Sequence, residues 1–114
     1  MITGVHTMFY SSDPEATRAF LRDSLQLKAN DVGEGWLIFP LQQAEVAVHP
    51  TGDAEPPAGT HAFSFYCDDI RKTVTEMKSR GAEFSGEIED TGWGLVTKLE
   101  IPGGCSALLY QRKY

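Results

Sequence analysis

The chain has 114 residues, enough for one ordinary domain with a buried core. Hydrophobic residues make up 41% and charged residues 23%, which is typical of a soluble globular protein. The formal net charge of −6 makes nucleic acid an unfavourable partner, because the molecule as a whole repels a phosphate backbone. The first residues lack the basic start and apolar run of a signal peptide, and no stretch approaches the ~20 apolar residues of a membrane span. We therefore predict a cytoplasmic protein with neither nucleic acid nor membrane as a partner.

The first half of the chain predicts one strand, one helix and three short strands. An alternating strand is predicted over residues 2–11, and Asp13 is placed to cap a helix whose first position is Pro14. The apolar stripe of this helix consists of Ala16, Phe20, Leu21 and Leu25. The three strands that follow are predicted at Lys28–Val32, Trp36–Phe39 and Ala44–His49.

The second half predicts the same order after a linker. Residues 50–59 are rich in Pro and Gly, which excludes a helix or a central strand there. A strand over residues 60–67 precedes a helix that begins at Asp68 or Asp69 and ends before Gly81. The last three strands are predicted at Glu83–Glu87, Leu95–Ile101 and Cys105–Tyr110.

An internal repeat relates the two halves. The segment MFYSSD at residues 8–13 is echoed by SFYCDD at residues 64–69, and the Gly-Trp pair ending at Trp36 is echoed by the pair ending at Trp93. Two echoes at nearly one offset and in the same order indicate duplication. We predict a single α+β domain over residues 1–114. Its parts are a βαβββ module over 1–49, the linker over 50–59 and a second βαβββ module over 60–114.

A duplicated βαβββ module of this length resembles the vicinal oxygen chelate superfamily, which includes glyoxalases, bleomycin-resistance proteins and extradiol dioxygenases. Three segments carry the resemblance: FLRDSLQL at 20–27, FYCDDI to GAEF at 65–84, and IPGG to LLYQ at 101–111. The resemblance implies two tandem modules that form a curved mixed sheet around a cavity, often in a homodimer. It leaves the activity open, because the superfamily holds metal-dependent isomerases, lyases and dioxygenases as well as metal-free proteins that sequester antibiotics.

Strand alternation predicts which side chains face the cavity. Phe9, Phe63 and Phe65 are expected to cover the helices, since each helix needs an apolar platform. The residues expected to bind a ligand on the other face are Met8, Tyr10, Ser64, Tyr66, Leu108 and Tyr110. Their three tyrosines are expected to converge, giving apolar walls with a few polar tips. No Lys or Arg is expected at an inward position, which argues against an acidic or glutathione-derived substrate.

The resemblance also implies four metal-ligand places, one on the first and one on the last strand of each module. Carried over position by position, these places hold His6, Ala47, Ala62 and Leu108. Only the histidine can donate to a metal, so the standard site is broken and no cofactor is expected. An alternative is a divalent metal held by a shifted set of His6, His49 and Glu45, because the last two flank position 47 on the same face.

Three functions follow from these observations. The leading hypothesis is a protein that binds a small hydrophobic or aromatic molecule in the cavity without the standard metal. The second is a metal-dependent lyase, isomerase or extradiol-type dioxygenase that uses the shifted metal set, with the ion acting as a Lewis acid on vicinal oxygens. The third is a non-catalytic partner or regulatory module. No catalytic residue is assigned.

Overall fold

Each helical region of the chain is followed by a run of extended segments. A computed structural model describes residues 6–45, 47–48 and 50–114. The first half contains, in order, α1 (Pro14–Ala19), a π-helical turn (Phe20–Ser24), β1 (Asn30–Asp31) and β2 (Leu37–Ile38). The second half contains β3 (Ser64–Tyr66), α2 (Ile70–Ser79), β4 (Glu83–Asp90), β5 (Gly94–Ile101) and β6 (Cys105–Arg112). The α+β class is therefore confirmed, and the second half has the predicted βαβββ order.

Strands β3 to β6 form one mixed sheet in the order β3-β6-β5-β4. The pairing of β3 with β6 is parallel, with Ser64 opposite Leu108 and Tyr66 opposite Tyr110. The other two pairings are antiparallel, as expected for strands joined by tight turns. Strand β6 has a partner on each side, so backbone hydrogen bonds hold it along both edges.

The hydrophobic core lies between one face of this sheet and the helices. Ile70 of α2 and Leu99 of β5 are fully buried, and Leu109 of β6 is 2% exposed. Phe9, Phe63 and Phe65 pack against this core, which confirms that they cover the helices as predicted. The three rings meet edge to face, with centroids 5.1 Å apart for Phe9 and Phe63 and 4.9 Å for Phe63 and Phe65.

Helix α2 has the boundaries that its sequence signals require. The Asp69 carboxylate accepts a hydrogen bond from the Lys72 backbone N–H at 3.1 Å, so Asp69 is the N-cap. Ile70, Val74 and Met77 recur on one face and pack into the core. The chain leaves the helix at Gly81, whose φ of 90° is typical of a residue just beyond a helix end. The longest helix among the described ranges is this ten-residue element, and no helix there is long and apolar enough to cross a bilayer.

The first half departs from the predicted strands. Residues 6–11 form no ladder, and residues 2–5 lie outside the described chain. Only two residues pair at each of β1 and β2, fewer than the predictions over 28–32 and 36–39. Residues 44, 45, 47 and 48 form no strand; Val48 is 94% exposed, so no buried face supports one there. Val46 and His49 lie outside the described residues.

The turn between β5 and β6 joins the two halves of the chain. The Ser12 backbone N–H donates to the Gly103 carbonyl oxygen at 2.9 Å, and the buried Thr17 hydroxyl donates to the Pro102 carbonyl oxygen. Gly103 has a φ of 96°, and a Cβ added there would fall on the side-chain oxygens of Ser11 and Thr17. The turn therefore needs glycine both for its backbone conformation and for the close approach of α1.

Replacing Gly103 with Ala should lower the free energy of unfolding by about 2 to 4 kcal/mol, from a left-handed backbone and an overpacked contact together. The matched control is Gly92→Ala, because Gly92 has a φ of 91° but nothing within 4 Å of an added Cβ. That control should lose only about 1 to 2 kcal/mol. Chemical denaturation measures both values. Equal losses would show that the contact with α1 contributes nothing.

Candidate functional site

The face of the sheet opposite the helices is set by the alternation of β6. Ala107 and Leu109 are buried against the helices, so Leu108, Tyr110 and Arg112 project from the opposite face. The parallel register adds the neighbouring β3 residues to the same face. Four of the six predicted ligand residues therefore lie there as two adjacent pairs, namely Ser64 with Leu108 and Tyr66 with Tyr110.

An aromatic and charged cluster occupies the end of this face. The rings of Tyr66 and Tyr110 are tilted by 46° with centroids 6.2 Å apart. The Tyr110 hydroxyl donates to the Trp93 carbonyl oxygen at 3.3 Å. The Arg112 guanidinium carbon lies 4.7 Å from the centroid of the Tyr66 ring and 5.8 Å from that of Tyr114. A cation therefore lies close to two aromatic rings beside the tyrosine pair.

Glu45, from the first half of the chain, contacts this cluster. One of its carboxylate oxygens accepts a hydrogen bond from the Tyr114 hydroxyl, and the other lies 3.7 Å from Nη1 of Arg112. The Tyr114 hydroxyl, followed by that of Tyr66, holds the pKa of Glu45 below its usual value. Glu45 is therefore an ionised acceptor at neutral pH.

The phenols of the cluster stay protonated well above neutral pH. Removal from water, followed by hydrogen bonding to Glu45, raises the pKa of Tyr66 to about 12. Hydrogen bonding to Glu45 is the main cause that raises the pKa of Tyr114. Both hydroxyls are neutral hydrogen-bond donors at neutral pH.

A hollow of about 440 Å³ opens at this end of the β3–β6 ladder. Its lining includes Gln43, Tyr66, Asp68, Gln111, Arg112 and Tyr114. We call it the Arg112 hollow. Its polar groups come from both halves of the chain, with an aromatic ring and a cation side by side. Such a site can stack a flat ring and bind a polar group at its edge.

A second hollow of about 310 Å³ lies at the opposite end of β6 and has Met8, Tyr10, Phe63 and Cys105 in its lining. The eight residues of β6 separate the two ends by about 23 Å, at ~3.3 Å per residue. Tyr10 is 88% exposed, and its carbonyl oxygen accepts from the Cys105 thiol at 3.6 Å. The structure therefore does not bring Tyr10 to Tyr66 and Tyr110, contrary to the expected convergence. Residue 10 contacts the residues next to the turn at Gly103 and does not pair with a strand of the sheet.

The expectation of no inward cation is also wrong. Strand β6 continues past Tyr110, and its alternation puts Arg112 on the open face. Lys98 of β5 pairs with Leu108 and lies on that face too. Arg112 could have been found from the alternation of Leu108, Tyr110 and Arg112. The predicted strand ended at Tyr110 and so did not include it. The argument against an acidic or glutathione-derived ligand therefore loses its premise.

The four places of the standard metal site do not fit an ion in this chain. Ala47, Ala62 and Leu108 are all exposed and carry no donor atom on their side chains. Across residues 6–45, 47–48 and 50–114, no group of three His, Cys, Asp or Glu side chains is placed to hold a metal. Of the shifted set, His6 is exposed, Glu45 is bonded to Tyr114, and His49 lies outside the described residues. The shifted site therefore stays a prediction.

Comparison with known proteins identifies the class to which this fold and open face belong. The family model of the Glyoxalase/Bleomycin resistance protein/Dioxygenase superfamily matches residues 4–104. The chain belongs to this superfamily. No curated protein sequence matches it.

Solved structures share the fold over nearly their whole length. A superfamily member from Sphaerobacter thermophilus is 23% identical with a TM-score of 0.67, covering 97% of this chain and 98% of its own. TnmS3, an antibiotic binding protein from Streptomyces sp. CB03234, is 20% identical with a TM-score of 0.67, covering 99% and 100%. A lactoylglutathione lyase from Agrobacterium tumefaciens is 18% identical with a TM-score of 0.65, covering 92% and 90%. At these identities the likeness establishes the fold alone.

Replacing Glu45 with Gln should lower the pKa of Tyr114 towards the ordinary tyrosine value of about 10, because the charged acceptor is lost. The pKa of Tyr66 should fall less, since its burial remains. Titration of the phenolate absorbance measures both changes. The control Glu55→Gln removes an exposed carboxylate of the linker and should leave the titration unchanged. An unaltered titration in Glu45→Gln would contradict the described hydrogen bonds.

The raised pKa of Tyr66 also predicts a loss of stability in alkali. The protonated phenol is favoured by the fold, so its contribution is complete below pH ~10 and is lost as pH rises through about 12. Tyr66→Phe should remove this part of the pH dependence, as measured by the free energy of unfolding at several pH values. An identical alkaline decline in the variant would refute the assignment.

Proposed function

We propose that this protein binds a small aromatic molecule against the Tyr66–Tyr110 pair without a catalytic metal ion. The observation that carries the proposal is the Tyr66 ring, which lines the Arg112 hollow and lies 6.2 Å from the Tyr110 ring, on the same sheet face as Leu108, a metal place without a donor atom. The volume of about 440 Å³ lies within the range of small-molecule pockets, roughly 300–1,000 Å³.

The chemistry of the cluster suits recognition of a flat ring. Tyrosine rings offer large apolar faces and have few rotatable bonds. Stacking a ligand on them therefore costs little side-chain conformational entropy. The Tyr66 hydroxyl is hydrogen-bonded to Glu45 and stays neutral at physiological pH, since its pKa is raised to about 12, so no phenolate charge opposes a stacked ring. Apolar area and a few oriented polar groups are the two requirements of a selective small-molecule site.

The relatives support this proposal only through the fold. TnmS3 is named as an antibiotic binding protein, so the fold supports binding of a small molecule in at least that protein. The lactoylglutathione lyase shows that the fold also supports an enzyme. Metal-dependent catalysis and a regulatory role are therefore the alternatives, to be separated by the experiments below. A cytoplasmic location and a homodimer stay predictions.

The site is tested by screening small aromatic compounds for an increase in melting temperature and measuring the Kd of the best compound by calorimetry. Tyr66→Ala should weaken that Kd by about tenfold or more, because stacking and buried apolar area are lost together. Tyr10→Ala is the matched control, since the same residue type lines the other hollow. Weakening by Tyr10→Ala alone would place the ligand at the opposite end of β6 and contradict the proposal.

Metal content provides the second test. Protein purified without chelator should contain no near-stoichiometric Fe, Mn, Ni or Zn, because three of the four ligand places lack donors. Near-stoichiometric metal would contradict the metal-free proposal. If that metal then disappeared in His6→Ala, the result would favour the shifted site.

A further inference from the structure

We propose that Arg112 binds an acidic group of the ligand, so that the molecule held against Tyr66 is an aromatic anion. This inference rests on the proposed function and adds to it the chemical class of the ligand. The inference depends on three features of the surroundings of Arg112.

The first feature is that the guanidinium is held in place without being enclosed. The Tyr66 ring lies 4.7 Å and the Tyr114 ring 5.8 Å from its central carbon, while the Arg112 side chain is still 37% exposed. The Arg112 side chain also lines the hollow, and the edges of its planar guanidinium carry the N–H donors. The donors therefore reach the hollow from a position that is already ordered.

The second feature is that these donors are not used. The nearest carboxylate oxygen, on Glu45, lies 3.7 Å away, beyond the ~2.7–3.2 Å of a hydrogen bond. Within the described part of the chain, the Arg112 guanidinium donates no hydrogen bond. By contrast, Arg22 lies 2.7 Å from Asp23, and Lys113 lies 2.6 Å from Asp90. The Glu45 carboxylate thus attracts Arg112 but leaves its N–H donors available for a ligand.

The third feature is the position of the cation relative to the aromatic surface. Arg112 lies on the same strand face as Tyr110 and directly against Tyr66. A ring stacked on these tyrosines would bring a substituent at its edge to the guanidinium. A planar carboxylate fits that fork through two parallel hydrogen bonds, which a neutral amide cannot reproduce. The geometry therefore selects a flat molecule that carries a carboxylate or a similar anion.

The experiment uses two probes of nearly equal shape, naphthoate and its neutral amide, naphthamide. Calorimetry gives the Kd of each for the unaltered chain, for Arg112→Gln and for Lys98→Gln. Lys98 is the matched control, because it is a cation on the same sheet face but has no aromatic ring against it in the described residues. The melting temperature of each variant confirms that it is folded.

The unaltered chain should bind naphthoate about tenfold more tightly than naphthamide, since hydrogen bonds to a charged group are the stronger ones. Arg112→Gln should abolish that preference by weakening naphthoate far more than naphthamide, while Lys98→Gln should retain the preference. Equal binding of both probes to the unaltered chain would overturn this inference and leave the proposed function standing. A preference that survives Arg112→Gln would also overturn it. Binding of neither probe would contradict the proposed function as well.

Discussion

The alternation of side chains along β6 is the constraint on which the rest of the structure depends. This strand has neighbours on both sides, and burial of Ala107 and Leu109 against the helices fixes its orientation. A shift of one residue would expose both of them and bury Arg112, at a cost that no surface contact could offset. The same burial that stabilises the core therefore determines which groups face the ligand. One face of β6 thus belongs to the core and the other to the candidate site.

The second half could be predicted because its pattern and its partners agree. Alternation, the cap at Asp69 and the Gly after α2 each indicate the same boundaries that the structure shows. The placement of Tyr66 and Tyr110 on one face also follows from alternation alone. The predicted convergence of these two residues with Tyr10 was wrong. It required residues 6–11 to pair as a strand, whereas in the structure this segment leads into contacts with the turn between β5 and β6.

The first half shows where such reasoning stops. Alternation over residues 44–48 resembles a strand, but a strand also needs a partner edge and a buried face, which no local pattern reveals. Arg112 was missed for a related reason. The predicted strand ended with its last aromatic residue, whereas the hydrogen-bonded ladder continues to Arg112 opposite Gly94. Gly94 leaves room there for the Tyr110 ring, a fit that only the folded register makes visible.

Membership of the superfamily defines the fold of this chain but leaves its function open. The structural relatives include one antibiotic binding protein and one lyase at similar TM-scores, so the backbone does not distinguish them. Side chains on the open face must do so. In a chain with a net charge of −6, long-range attraction of an anion is unfavourable. Any preference for an anion would therefore have to come from short-range contacts such as those that Arg112 can make, and it would change little with ionic strength compared with a diffuse basic patch.

The contact between α1 and the turn at Gly103 has a consequence for the order of folding. The Thr17 hydroxyl and the Pro102 carbonyl oxygen are separated by 85 residues in sequence. During synthesis, α1 leaves the ribosome long before its hydrogen-bond acceptor has been made, so it cannot complete its packing until the last hairpin is present. Contacts between such distant residues slow folding, because the intervening chain must be ordered first. The contact therefore raises the contact order of the fold and lowers the folding rate expected for a domain of this length.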